Sequence, residues 1–469
     1  MRISPTARAG RVLLPCAFVA VFLALFIPYA PYAAATPDPA GQEASFVGGA
    51  GLTLHGTVIR PATTTSDTPG IVLVGGSGPG PREEYRREAE AFAAAGITVL
   101  IYDKRTDGYS LTHRDLGLLA DDALAAVRYL RDQPGVRRDM VGLWGFSEGG
   151  WVAPLAASRS DDIAFLITLG ASGYPPLRTQ TWYLANLLRQ HGDHSALIDG
   201  ISGPAARIMA ATGLFPAADF DPVPVLHRVH VPVLALWGDH DVQDPPAENA
   251  AILRRALEAD PSVTIRFLTN GSHNGRATTT GFDRIGPTYA RPVPSGDFAP
   301  GYLDTMTDWL HRVAAGNPPE SSAAPSPTQQ AESRDPGHDL WTSPGIQGAV
   351  VVLLILAFLA YLPISLTSKG IRGARTLALA GPISLLGTVA YIVWIYATGA
   401  KSLGPAVVGR PVPWLILQLL ALATVAALAV TLITTIRTRA TTHRLGLALL
   451  IPAGFVWLAW ALTWGLLAR

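Results

Sequence analysis

The run Gly145-Phe146-Ser147-Glu148-Gly149 contains the residue best suited to nucleophilic chemistry, Ser147, with a glycine two positions away on either side. That spacing fits a sharp, strained turn: the glycines let neighbouring backbone pass close while the hydroxyl projects. A serine hydroxyl is inert at neutral pH unless a base takes its proton, so a histidine and an acid to orient it must lie elsewhere. The expected chain order of serine, acid and histidine directs the search downstream. Asp241, in Gly238-Asp239-His240-Asp241, and His273, in Asn270-Gly271-Ser272-His273-Asn274-Gly275, have the fitting positions. Asp239 and Asp244 stand as alternatives for the acid, with loop capping as their other role. His240 reads as a surface or pocket-lining group. The implied chemistry is attack on an acyl carbonyl, which also needs preorganised N–H donors for the oxyanion. The candidate donors are the backbone amides of Glu148 and of Ser77, the latter within Gly75-Gly76-Ser77-Gly78-Pro79. This second loop also reads as a tight turn or a weak phosphate cradle, but it lacks the G-K-[ST] and full G-x-G-x-x-G patterns.

These residues need a scaffold, and the alternation of short apolar runs with helical patterns supplies one. Strand-like runs lie at 71–74, 97–101, 141–144, 165–169, 231–237 and 263–267, with helical patterns near 83–95, 117–132, 148–158 and 247–258. Strand and helix in repetition predict an α/β fold with a mostly parallel sheet covered on both faces. Functional groups then belong in loops at the carboxyl ends of strands. Ser147 follows run 141–144 and precedes a helix, Asp241 follows 231–237, and His273 follows the last strand before a terminal helix at about 302–314. Residues 171–230 exceed an ordinary connection and predict a helical cap, with Trp182, Tyr183, Leu184, Leu187 and Leu188 as an apolar face for packing or an acyl pocket.

The stretch 71–155 resembles the bacterial α/β-hydrolase family of serine esterases and acyl-peptidase-like enzymes. It is similar in Gly76-Ser77-Gly78-Pro79 with Arg82, in Tyr102-Asp103-Lys104-Arg105 followed by Gly108 and Ser110, and in Ser147-Glu148-Gly149-Gly150 with Ala153-Pro154-Leu155. Asp241 and His273 extend the likeness to about residues 44–314. It departs at Gly75-Gly76, where the family usually has His-Gly, and at Thr106, where a glycine is common. The resemblance implies an α/β-hydrolase fold with a helical cap and a Ser147, Asp241, His273 triad acting on an ester or peptide substrate without a cofactor.

The remainder of the chain is of another character. Of 469 residues only 15% are charged, against about 25% in a soluble domain. Residues 345–469 hold nine Lys and Arg and no acid; 36–344 hold all 35 acids against 24 basic residues, a formal net of −11. No basic stripe exists to meet phosphates, which argues against a nucleic-acid binder. Residues 1–35, with Arg2, Arg8 and Arg11 before an apolar run and Ala33-Ala34-Ala35 after it, predict a signal peptide or N-terminal anchor. The single cysteine, Cys16, lies within that run and permits neither an intrachain disulfide nor a Cys-based zinc site. Residues 36–314 form the expected hydrolase domain and 315–344 a Pro/Ser-rich linker.

Segments 345–367, 376–398, 412–436 and 445–467 are each long enough to cross a bilayer as an all-α transmembrane bundle. Lys369, Arg372, Arg375, Arg437, Arg439 and Arg444 would face the cytoplasm, against Lys401 and Arg410 outside, if 36–344 is extracytoplasmic. The expected partners are therefore membrane lipid and a small ester or peptide substrate. No metal is expected: His191-Gly-Asp-His194 lacks a third ligand, and the Asp239, Asp241, Asp244 cluster lacks EF-hand spacing. Two rival readings are a non-catalytic membrane protein with a hydrolase-fold binding module, and a hydrolase accessory to a membrane or lipid function of the bundle.

Overall fold

The computed structural model describes residues 41–63, 67–110, 112–260, 262–284, 296–367, 371–438 and 444–468. The expected signal or anchor at 1–35 lies outside them. By their contacts the described residues divide into two compact units, one of 41–183 with Gly213–Arg334, the other of Leu184–Thr212 with 335–468.

The first unit is built on a nine-stranded sheet of β1 (Gln42–Val47), β2 (Thr53–Ile59), β3 (Thr68–Val74), β4 (Thr98–Tyr102), β5 (Val136–Phe146), β6 (Leu166–Leu169), β7 (Val233–Gly238), β8 (Val263–Leu268) and β9 (Ser322–Ala323), in spatial order β1-β2-β4-β3-β5-β6-β7-β8-β9. The pairs β1–β2 and β2–β4 are antiparallel; every pair from β4 onward across the sheet is parallel. Interior parallel strands are apolar on both faces because helices cover each side. In β3, Val72 and Val74 enter one core with Leu119, Val127, Val152 and Trp237, while Ile71 and Leu73 enter the other with Phe92, Phe165, Tyr302 and Trp309. Side-chain alternation along one strand thus feeds two separate layers.

The helices of more than eight residues up to residue 314 are α1 (Arg86–Ala94), α2 (Leu116–Arg131), α3 (Gly149–Ala157), α4 (Pro176–Gln190), α5 (Pro246–Ala256) and α6 (Tyr302–Ala314), and all but α4 place side chains in the two layers against the sheet. Asp115 starts α2 by accepting from the Gly117 and Leu118 amides at 2.8 and 3.1 Å, satisfying donors that no helical carbonyl can reach. The region expected to form the cap holds α4 and short helical turns at Leu197–Gly200, Ala206–Ala211 and Val223–Leu226. Its stretch Leu184–Thr212 belongs to the second unit.

Within the expected Pro/Ser-rich linker, residues 315–344, polar groups anchor the stretch up to Ser333. Ser322–Ala323 pairs with β8, the Ser262 hydroxyl donates to Pro319 O at 2.6 Å, Trp182 Nε1 donates to Ala331 O at 2.9 Å, and the Ser333 hydroxyl donates to Glu248 at 2.6 Å. An edge strand offers unpaired backbone groups, so a segment with no apolar face can still be held by hydrogen bonds.

The second unit contains α7 (Pro344–Thr367), α8 (Ala374–Ala397), α9 (Val412–Thr438) and α10 (Arg444–Thr463), all long and apolar enough to cross a membrane. Large apolar side chains such as Leu353, Leu356, Ile383, Ile416 and Leu419 are exposed, whereas Phe358, Trp414, Trp457 and Trp460 are buried. Trp457 Nε1 in α10 donates to Ser384 Oγ in α8 at 3.0 Å, and Trp464 Nε1, just after α10, to Gln347 Oε1 in α7 at 3.1 Å, so these buried polar groups are paired. Within this unit the Leu184–Thr212 stretch meets the bundle: His194 N donates to Gly409 O at 2.9 Å and the Tyr396 hydroxyl to Ile201 O at 2.6 Å.

Candidate active site

Strand β5 ends at Phe146, and Ser147 takes φ 52°, the left-handed region that a residue with a side chain rarely occupies. The turn is forced by close backbone passage. A Cβ at Gly145 would collide with the Gly149 carbonyl, and one at Gly149 with the Val74 carbonyl. The Ser147 amide donates to Leu169 O at 2.9 Å and its carbonyl accepts from Gly150 N at 2.7 Å. The nucleophile candidate is therefore fixed to β6 and to α3, and is half-buried. Glu148 immediately precedes α3, where the unpaired amides of the first helical turn make a positive end.

The acid and imidazole come from the loops after β7 and β8. His273 Nδ1 lies 2.8 Å from Asp241 Oδ2, with both side chains buried. The other Asp241 oxygen accepts from the Gln243 and Asp244 amides at 2.8 and 2.9 Å, so the carboxylate cannot swing away. Burial would pull the His273 pKa down, but Asp241, through charge and hydrogen bond, together with Asp244 pushes it up to about 9. Next to Ser147, the ring of Phe146 sits 5.2 Å from the imidazole, and a Cβ on Gly170 (φ 61°) would run into the His273 imidazole. A Cβ on Gly76 would lie 3.4 Å from the Ser147 Cβ, which puts the glycine loop after β3 beside the serine.

The two alternative acids separate cleanly. Asp239 accepts from the Gly271 amide at 3.2 Å and bonds His240 Nδ1 at 2.6 Å, so it ties the two loops rather than touching His273. Asp244 has a carboxylate oxygen 3.6 Å from His273 Nδ1; burial raises its pKa to about 7, with Asp241 adding to the rise and His273 opposing it. Asp241, Asp244 and His273 bring donor atoms within 4.8 Å of one another, but Nδ1 is already engaged by Asp241 at hydrogen-bonding distance. In the other unit, Asp193 accepts from the Ser195 amide and hydroxyl at 3.0 and 2.7 Å, a turn cap within the His191 to His194 pattern.

In the glycine loop, Gly76 N donates to the Tyr85 hydroxyl and Gly78 N to the Tyr109 hydroxyl, each at 2.9 Å, on either side of the exposed Ser77. The Glu148 side chain is fully buried and paired with Lys104 and Arg114. Burial would lift its pKa, but those two cations and the Tyr109 hydroxyl hold it below the ordinary carboxylate range. Of these partners only Lys104 stands in a motif that the sequence singles out, Tyr102-Asp103-Lys104-Arg105, and that motif assigns it no role. Lys104 and Tyr109 lie close after β4, and that position at a strand's carboxyl end was the available signal.

Residues 84–290 match the family described as Prolyl oligopeptidase family. Among curated proteins, the chain is 34% identical over 85 residues to the thiohydrolase aneE of Aspergillus aculeatus, covering 17% of this chain and 27% of that protein. It is 30% identical over 129 residues to the thiohydrolase apmlB of Arthrinium phaeospermum, covering 26% and 42% respectively. The chain thus spans less than half the length of either. Among solved structures it is similar to a 2,6-dihydroxy-pseudo-oxynicotine hydrolase, at 18% identity and TM-score 0.41, covering 60% of this chain and 71% of that one. Another is a puromycin-hydrolyzing peptidase of Mycobacterium tuberculosis, at 18% identity and TM-score 0.40, covering 62% and 42%. The sheet order, the elbow at Ser147 and the family match agree: the chain carries a domain of the α/β-hydrolase fold, similar over residues 84–290 to the prolyl oligopeptidase family.

Proposed function

We propose that this protein is a membrane-tethered, extracytoplasmic serine hydrolase that cleaves ester bonds, with thioesters and amides as further candidate substrates, through an acyl-enzyme. The observation that carries the reading is the strained Ser147 elbow combined with the buried Asp241–His273 pair. Ser147 Oγ attacks the carbonyl carbon while His273 takes its proton; Asp241 holds the imidazole tautomer and stabilises the imidazolium. The Glu148 and Ser77 amides receive the oxyanion. His273 then protonates the leaving group, and water activated by the same imidazole releases the acid and frees Ser147. Thioesters enter because both curated relatives are named thiohydrolases, and thioesters are open to the same acyl-transfer route. Tethering rests on the four apolar helices, and sidedness on the six-to-two excess of Lys and Arg in the loops assigned to the cytoplasm.

The test is activity-based labelling of the detergent-solubilised full chain with a fluorophosphonate, followed by an ester, thioester and amide panel. Labelling should vanish in Ser147→Ala and fall sharply in His273→Ala and Asp241→Asn. A folded wild-type chain that stays unlabelled would sink the enzyme reading.

A further inference from the structure

A glycine-rich oxyanion loop is poorly held by packing, because it has few side chains to bury. Here the loop also borders a small cavity lined by Gly75, Gly76, Ser77, Gly78, Tyr85 and Lys104. Its position must therefore come from polar tethers, and two of them converge on one carboxylate. Lys104 Nζ donates to Gly76 O at 2.6 Å and also pairs with Glu148 Oε1. The Tyr109 hydroxyl accepts from Gly78 N at 2.9 Å and donates to Glu148 Oε1 at 2.8 Å. Arg114 Nη1 holds the second oxygen, Glu148 Oε2, at 2.7 Å, while its guanidinium lies 5.3 Å from the ring of Phe215. The Ser77 hydroxyl approaches that same oxygen at 3.5 Å. Glu148 is also the residue whose own amide is proposed as the second oxyanion donor.

We propose that Glu148, Lys104 and Tyr109 are positioning residues for the oxyanion cradle: the Glu148 carboxylate, through Lys104 and Tyr109, locks the Gly76–Gly78 loop to the elbow so that the amides of Ser77 and Glu148 keep a fixed separation. This rests on the serine-hydrolase reading above. A buried carboxylate with two cationic partners is costly to assemble and to disturb, which suits a part that must not move. The three side chains act only through the backbone amides of the two loops, that of Glu148 included. Preorganised donors matter because their value lies in needing no rearrangement as charge develops.

The experiment compares phosphorylation of Ser147 in the full chain by a dialkyl aryl phosphate (P=O) and by its thiono counterpart (P=S), which differ in the atom the cradle must hold. In Glu148→Gln the P=O rate should fall about 50-fold and the P=S rate less than about 5-fold, compressing the ratio of the two. Tyr109→Phe, which removes a single oxygen and leaves the charges paired, should compress the same ratio by about 5- to 10-fold and decides the matter if Glu148→Gln does not fold. Equal slowing toward both probes, or no slowing, would overturn the positioning role while leaving the hydrolase reading intact. A wild-type chain that reacts with neither probe would overturn the hydrolase reading itself.

Discussion

At the scale of single residues the site turns on the protonation of one imidazole. His273 must be neutral to accept a proton, and its neighbours favour the charged form, with a pKa pushed up to about 9. The labelling rate of the full chain should therefore keep rising from pH 7 towards pH 9; a plateau already complete by pH 6.5 would contradict this electrostatic picture. Asp244, 3.6 Å from Nδ1, contributes to the rise. Asp244→Asn removes a negative charge that stabilises imidazolium, so the acid limb of the pH profile should move to lower pH, with maximal activity kept within about tenfold. Asp241→Asn should instead cost about 10⁴-fold, because an amide there favours the wrong tautomer. The contrast between the two substitutions, read in one set of pH profiles, separates the orienting acid from its neighbour.

At the scale of elements the elbow is a packing problem solved by absent side chains. Gly145 and Gly149 lie where added methyl groups would meet backbone carbonyls, which have no rotamer to escape into. Gly149→Ala should therefore lower the thermal midpoint by several degrees, from overpacking of about 1–3 kcal/mol, and reduce labelling as α3 shifts. Gly80→Ala, where a Cβ would meet only the flexible end of Glu84, should leave the midpoint within about 1 °C. Equal shifts for both would show that the elbow is not the constraint. The post-β4 loop has its own anchor: Arg105 donates to Asp122 at 2.6 and 2.7 Å and to Gly49 O at 2.7 Å, with the Arg105 and Asp122 side chains buried. That pair fixes the start of the loop from which Lys104 and Tyr109 reach Glu148.

At the scale of the whole molecule the question is which side of a membrane each loop faces. In a Cys16→Ser background, Ser402→Cys should react with an impermeant maleimide added to intact cells, and Arg372→Cys only after the cells are opened. The reverse pattern would invert the proposed orientation and place the hydrolase domain in the cytoplasm. Four apolar helices and a domain of the α/β-hydrolase fold share one chain.

The sequence by itself determined the fold class, the elbow and the candidates Asp241 and His273, because these are signalled locally: strand, turn and helix patterns span a few residues each, and their order follows the chain. It also marked the apolar helices, since composition and length alone suffice for them. Only the tertiary structure decided which of three aspartates meets the imidazole, because Asp239, Asp241 and Asp244 lie within six residues and differ only in how the loop folds. It likewise decided that Lys104, Tyr109 and Arg114 converge on Glu148 across separations of 44, 39 and 34 residues. The Pro/Ser-rich segment gave no periodic pattern to read, yet it pairs with β8, because its backbone rather than its side chains makes the bonds. Local patterning specifies elements; which charges meet in the interior depends on how the sheet stacks those elements side by side.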